Sequence, residues 1–346
     1  GFALDLFVSL HDYSIIRPMK PSLTCEVLTF KPNLQSMLWG GDTLPRLKGI
    51  AVPGTPVGES WEVSAMPGKE SVVADGPLEG RNLAELAADY GAELLGEESI
   101  RRYGLRFPLL VKFIDARRDL SIQVHPDDSL AGKLHGSNGK TEMWYVLSAE
   151  PGSNVILGFR RPIDAERFAS IAGTAAILDE VNYYPTQAGA SFMVPAGTLH
   201  SIGAGNVLAE IQQSSDLTYR VYDYGRTDAD GHPRALHIAS ALRALDYRPC
   251  TDLHTHPDRL ADGAQRISEC QHFNVDRVEI HDGKPLAMAH NPSSFRVVMC
   301  VDGEIVLTDH AGRHKATLPC GFSALVPAAN EGLTLSGNAT ALIASV

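Results

Sequence analysis

Short apolar or alternating runs, broken every few residues by Gly or Pro, govern what this chain can fold into. LTFKPNL, GIAVPGTPVGESWEVSAMPG and SVVADGP near the start, and FNVDRVEI, SSFRVVMCVDGEIVLTD, HKATLPCGFSALVPA and GLTLSGNATALIAS near the end, are too punctuated for long helices. With 31 glycines and 21 prolines available for turns, they predict a mainly β protein built from antiparallel strands. Helical spacing interrupts this pattern in three places. Over residues 82–96, Leu83, Leu86, Ala87, Tyr90 and Leu94 share one face, and Asn82 with Glu85 has the spacing of a capping box. PIDAERFASIAG begins with Pro162 and Asp164 and stops at Gly173, and RALHIASALRALDY predicts the third helix. A shorter helical turn is expected in DDSLAGKLHG.

A chain of 346 residues exceeds what one hydrophobic core usually serves. The stretch from Pro249 to Pro257 is the expected boundary. It divides an N-terminal extension (residues 1–24) and a larger domain with helical segments (25–250) from a small β-barrel domain (251–346). GASFMVPAGTLH at 189–200 and GFSALVPAANEG at 321–332 share a glycine and a Val-Pro-Ala at matching positions, which suggests a duplicated β unit. The second copy has Ala329, Asn330 and Glu331 in place of Thr198, Leu199 and His200, so it keeps no histidine.

Charge narrows the function. Forty-one acidic residues against 30 basic ones leave a net charge of -11, which repels a polyphosphate backbone over most of the surface. Nucleic acid and anionic membranes are thereby disfavoured, and no protein partner is implied. A small phosphorylated substrate needs only a local group of cations. The cysteines, Cys25, Cys250, Cys270, Cys300 and Cys320, are odd in number and lack CxxC spacing, so a cytoplasmic location is expected. No run approaches the roughly 18 uncharged apolar residues of a membrane helix. The opening GFALDLFVSLHDYSIIRPMK lacks a basic start and a small-residue cleavage site, so an export signal is not expected.

The residues suited to chemistry fall on the strands. In LSIQVHPDD, Leu120, Ile122 and Val124 alternate with Gln123 and His125, which places an amide and an imidazole on one strand face. In KTEMWYVL the same alternation sets Lys140 beside Glu142, and in VPAGTLHSIG a rigid Pro-Gly turn precedes His200. Two imidazoles, a carboxylate and a neutral amide oxygen make a four-donor set suited to zinc, with room for substrate. A strand histidine alone is more often a satisfied core or surface group, but the order QxH, E, PxGxxH raises the metal reading. A rival pair, His254 and His256, reads as a polar linker strand.

Lys112 interrupts the apolar strand FPLLVKFIDA and needs an anionic partner. Arg220 offers a planar fork suited to phosphate, although Asp216 and Asp223 could hold it structurally. Glu62 in GESWEVS is a further strand carboxylate, suited either to catalysis or to pairing with Lys112. GxGxxG, Walker and GxSxG motifs are absent, which disfavours dinucleotide, ATP and serine-hydrolase chemistry.

In order and spacing, GESWEVS, FPLLVKFIDA, LSIQVHPDD, KTEMW, PAGTLHSIG and SSDLTYRVYDYGR resemble the type I phosphomannose isomerases of the cupin superfamily, in their short form. The resemblance covers residues 25–250 well and the C-terminal part loosely. It implies two cupin-like jelly-roll β-barrels, the first with a few helices attached. It also implies one zinc ion on Gln123, His125, Glu142 and His200. Lys112, Lys140, Arg220 and Glu62 are then active-site residues, with Arg220 and lysine help on the phosphate. The implied reaction interconverts mannose 6-phosphate and fructose 6-phosphate through a cis-enediol. Gln123 stands where the general cupin pattern has histidine, as in the isomerases themselves, and this favours that family over cupin oxygenases. Ala204 replaces a usual asparagine, and the extension to Pro18 has no counterpart. The alternatives are a non-catalytic phosphosugar- or metal-binding cupin and a cupin dioxygenase.

Overall fold

Two strands buried along their whole length, Leu109–Ala116 and Asn206–Gln213, mark the centre of the molecule in a computed structural model. The structure describes residues 20–227, 231–250, 253, 255, 258–259 and 264–346. The two strands lie side by side in a six-stranded antiparallel sheet ordered Leu34–Gly41, Val57–Val63, Leu109–Ala116, Asn206–Gln213, Glu142–Ala149 and Ser191–Val194. Apolar residues on alternate positions go opposite ways. Ile114, Trp144, Val146 and Leu208 pack towards a five-stranded sheet, with Leu157, Val155 and Ile202 in the same cluster. Val111, Phe113, Met143 and Ile211 pack with the helices and with Phe295, Val297 and Leu342 of the C-terminal part. A sheet covered on both faces has no solvent side, so its central strands show continuous burial rather than alternation.

The five-stranded sheet runs Tyr219–Tyr222, Ile122–Val124, His200–Ile202, Asn154–Phe159, Val181–Pro185. The C-terminal part forms a nine-stranded sheet around the long strands Arg296–Asp309 and Gly332–Ser345. The short strand Leu28–Thr29 joins this sheet by pairing with Ser323–Val326, which ties the start of the described chain to its end. Every strand pairing among the described residues is antiparallel, as the turn-rich sequence predicts.

The helix expected over 82–96 is two helices, Leu83–Tyr90 and Ala92–Leu95. Gly91 sits between them at φ 50°, a conformation that ends one helix and starts the next. The Asn82–Glu85 capping box forms as expected. A further helix, Glu97–Tyr103, falls outside the predicted three. Asp164 caps Ala165–Ile171 through the Arg167 amide at 2.7 Å, and the third helix is Ile238–Ala244. Asp127 caps the helix Asp128–His135 that was expected as a turn.

The two Val-Pro-Ala phrases both end a strand in a tight turn, closed by Thr198 N to Pro195 O at 3.1 Å and Asn330 N to Pro327 O at 3.0 Å. These bonds match Thr198 with Asn330. The counterpart of His200 is therefore Gly332, one place later than the sequence comparison put it. Ala204 is accommodated because Asn206, two residues on, closes the turn by donating to Asn154 O and Gly203 O. Residues 1–19, and with them most of the expected extension, lie outside the described residues. So do His254, His256 and most of the stretch expected as the boundary. No helix among the described residues is long and apolar enough to cross a membrane.

Candidate active site

Antiparallel register sets two rows of side chains along the gap between the six- and five-stranded sheets. Trp61, Lys112, Glu210 and Trp144 are successive partners across the first sheet. His200, Gln123 and Arg220 are successive partners across the second. Direct partners present their side chains on the same face, so each row is a consequence of pairing. Between the rows lies a cavity of about 280 Å³ whose walls include Lys112, Lys140, Glu210, Gln123, Arg220 and Glu59.

Behind Gln123 and Lys140 of the cavity wall, the buried His125, Glu142 and His200 bring one donor atom each within 4.8 Å of one another. Each imidazole turns its Nε2 towards the carboxylate, with His125 Nε2 to Glu142 Oε2 and His200 Nε2 to Glu142 Oε1 both at 3.5 Å. The other nitrogen of each ring donates to the main chain, His125 Nδ1 to Leu217 O at 2.8 Å and His200 Nδ1 to Thr198 O at 2.9 Å. This fixes the tautomer and leaves both Nε2 lone pairs facing inward, which is how metal-ligating histidines are held. Glu142 Oε1 is buried without a hydrogen-bond partner, an orphan acceptor that a cation would satisfy. Gln123 donates its amide nitrogen to His200 Nε2 at 3.3 Å, and turning the amide over presents oxygen instead. The four donors therefore fit a divalent cation of the zinc type.

Electrostatics favour the same reading. Burial, with the Lys140 charge, pulls His125 down to about 3, and burial also lowers His200, so both rings stay neutral. Burial opposes ionisation of Glu142, but the Lys140 ammonium holds it well below the usual carboxylate range. Glu210 is raised by burial and by the Glu142 charge, against the pull of Lys140 and Lys112. Burial disfavours the Lys112 charge, yet Glu59 at 3.6 Å and Glu210 at 3.3 Å outweigh it and raise its affinity for the proton.

Lys140 precedes the strand Glu142–Ala149 rather than lying in it, but its Nζ still reaches Glu142 Oε2 at 2.7 Å and His125 Nε2 at 3.1 Å. Three buried or nearly buried carboxylates, Glu59, Glu142 and Glu210, thus face two ammoniums, Lys112 and Lys140. Arg220 and Arg234 form the arginine end of the cavity wall. Arg220 donates to Ala235 O at 3.0 Å, and its Nε is buried without a partner. Arg234 is held bidentately by Asp223, which also binds Arg226. Three guanidiniums around one carboxylate leave a positive field at that end. Burial and the Arg234 charge weigh against the charge on Arg220, a cost that a bound anion relieves.

Glu62 corrects the sequence reading. Its carboxylate points away from the cavity, accepts from Lys48 Nζ at 2.7 and 2.8 Å and from Ser60 Oγ at 2.6 Å, and pairs with neither Lys112 nor the metal donors. Glu59, three residues earlier in the same motif, occupies the site and accepts from Trp61 Nε1 at 2.6 Å. Because Lys48 and Glu62 are only 3% and 7% exposed, Glu62→Gln leaves a buried ammonium short of its counter-charge. We expect a loss of roughly 3–5 kcal/mol of stability on chemical denaturation. Activity per folded molecule should remain within about threefold of wild type, as for a residue that touches no reacting atom.

The chain is similar to known proteins along nearly its whole length. Residues 27–146 match the family model for the type I phosphomannose isomerase catalytic domain, and residues 264–346 the model for the mannose-6-phosphate isomerase cupin domain. The mannose-6-phosphate isomerase of Streptococcus mutans is 42% identical over 64% of this chain and 68% of its own length. The mannose-6-phosphate isomerase ManA of Bacillus subtilis is 34% identical over 82% and 87%. A crystal structure of the Bacillus subtilis mannose 6-phosphate isomerase superposes with a TM-score of 0.83 at 30% identity, covering 93% of this chain and all of that one. With the His-Glu-His cluster at its centre, this mainly β chain is an enzyme of the type I phosphomannose isomerase family.

Proposed function

We propose that this enzyme interconverts mannose 6-phosphate and fructose 6-phosphate, using a zinc ion held by Gln123, His125, Glu142 and His200. The observation that carries the metal reading is the orphaned Glu142 oxygen between two inward-turned, neutral imidazoles. When bound, zinc supplies a fixed positive charge that stabilises negative charge developing on a substrate oxygen. The isomerisation requires that C2 lose a proton, the carbonyl oxygen on C1 gain one, the C2 hydroxyl lose one and C1 gain one.

Glu210 suits the carbon-to-carbon step through a cis-enediol. It lines the cavity, its proton affinity is raised, and its Oε1 faces the Lys112 and Lys140 ammoniums at 3.3 and 3.9 Å without accepting a hydrogen bond. Trp144 Nε1 fixes the other oxygen at 3.0 Å. Lys140 suits the exchange of hydroxyl protons, and Lys112 holds Glu59 and Glu210 in place. The phosphate goes to Arg220 and Arg234, with the lysines contributing attraction. Residues 25–250 then carry the chemistry, and residues 264–346 brace the six-stranded sheet from behind.

A coupled assay on mannose 6-phosphate tests this reading. Turnover should disappear on thorough chelation and return with stoichiometric zinc. Turnover that survives removal of all metal would overturn the metal role, and binding of the phosphosugar without conversion would overturn the reaction.

A further inference from the structure

We propose a second divalent-cation site, of the zinc class, formed by Cys25, His310 and Glu331, none of which belongs to the first. A thiol, an imidazole and a carboxylate here each bring a ligand atom within 4.8 Å of the others. They come from three separate parts of the chain: the segment before Leu28–Thr29, the hairpin tip after Arg296–Asp309, and the turn before Gly332–Ser345. The mixed sulfur, nitrogen and oxygen set is the chemistry zinc accepts, and water completes a tetrahedron.

Each ligand is presented by backbone that the fold holds independently. Cys25 lies between two bonds to the 330–331 turn, Glu331 N to Thr24 O at 2.8 Å and Asn330 Nδ2 to Glu26 O at 2.9 Å. The His310 hairpin is pinned by Asp309, which is buried and whose Oδ1 accepts from the amides of Ala311 at 3.0 Å and Arg313 at 2.9 Å. His310 Nε2 and Glu331 Oε2 are 3.9 Å apart, and both side chains are more than half exposed, so an ion can enter from solvent. Arg313 donates to Cys25 Sγ at 3.6 Å from outside the triad, a hydrogen bond that steadies a ligating sulfur.

Binding replaces the sulfur's proton with the metal and releases that proton to solvent. The thiolate, neutral imidazole and carboxylate then balance the charge of a divalent ion. The consequence is a clasp between the start of the described chain and the C-terminal sheet, where Leu28–Thr29 already pairs with Ser323–Val326.

The active site contains no sulfur ligand, so cobalt distinguishes the two sites. Full-length protein dialysed against a chelator and titrated with Co²⁺ should develop a near-ultraviolet thiolate-to-cobalt charge-transfer band that saturates with a second equivalent of metal. Cys25→Ser should abolish the band, and His310→Ala at the exposed hairpin tip should weaken the binding that produces it at least about tenfold. Both variants should keep wild-type isomerase activity. Absence of the band in the wild type, its survival in Cys25→Ser, or indifference to both His310→Ala and Glu331→Gln would overturn the proposal. His310→Ala keeps the test decisive even if Cys25→Ser fails to fold.

Discussion

Glu142→Ala should lower kcat/KM by at least about 10³-fold and strip the active-site metal from the protein. Glu142 lies at the centre of the donor set, within 3.5 Å of both Nε2 atoms and 2.7 Å of the Lys140 ammonium. Without its charge, Lys140 loses its closest carboxylate and, among the described residues, keeps an ion pair only with Glu210 at 3.9 Å. The ammonium and a divalent ion would then compete in a pocket that no longer neutralises both. Metal content by mass spectrometry, read beside steady-state rates, checks this. Both quantities should fall together, whereas a variant that keeps its metal and loses activity would place Glu142 outside the ligand set.

Removing Arg220 should cost about 10–150-fold in kcat/KM, the worth of roughly 1.5–3 kcal/mol of charge-assisted hydrogen bonding to phosphate. The loss in Arg220→Ala should appear for the phosphorylated sugar and vanish for mannose itself, because in the proposed reading the side chain meets only the phosphate. Arg220→Lys should recover part of it, since a point charge cannot reproduce a planar fork. Arg234 shares the same end of the cavity, so Arg234→Ala should behave similarly but more weakly, Asp223 already taking its Nε and Nη2 donors. An equal loss with and without the phosphate would show that Arg220 acts on the reacting carbons or only on stability.

The elements that bring His125, Glu142 and His200 together are largely legible in the sequence because strand alternation and turn chemistry are local. Gln123 lies in a strand and His200 starts one immediately after the Pro-Gly turn, as their phrases implied. Lys140 beside Glu142 was read for a partly wrong reason. Lys140 precedes the strand, and its approach depends on the path of residues 126–140, where Lys140 N donates to Pro126 O at 3.1 Å.

The omissions have physical causes too. In GESWEVS two glutamates three residues apart must face opposite ways in a strand, and alternation alone does not say which faces inward. A register irregularity between Trp61 and Val63 further breaks the simple parity of that strand. Glu210 sits in a strand buried on both faces, where no apolar–polar alternation singles it out. Arg234 reaches the cavity only through tertiary placement, bound to Asp223 eleven residues earlier. The single helix expected over 82–96 was broken at Gly91, whose positive φ no periodicity reveals.

X-ray anomalous scattering at the zinc edge, from crystals of the holoenzyme, tests the central claim most directly. We expect a peak bonded to His125 Nε2, His200 Nε2, a Glu142 oxygen and the amide oxygen of Gln123. A fully active enzyme whose cavity shows no such peak, or an ion bound away from these four side chains, would contradict the account.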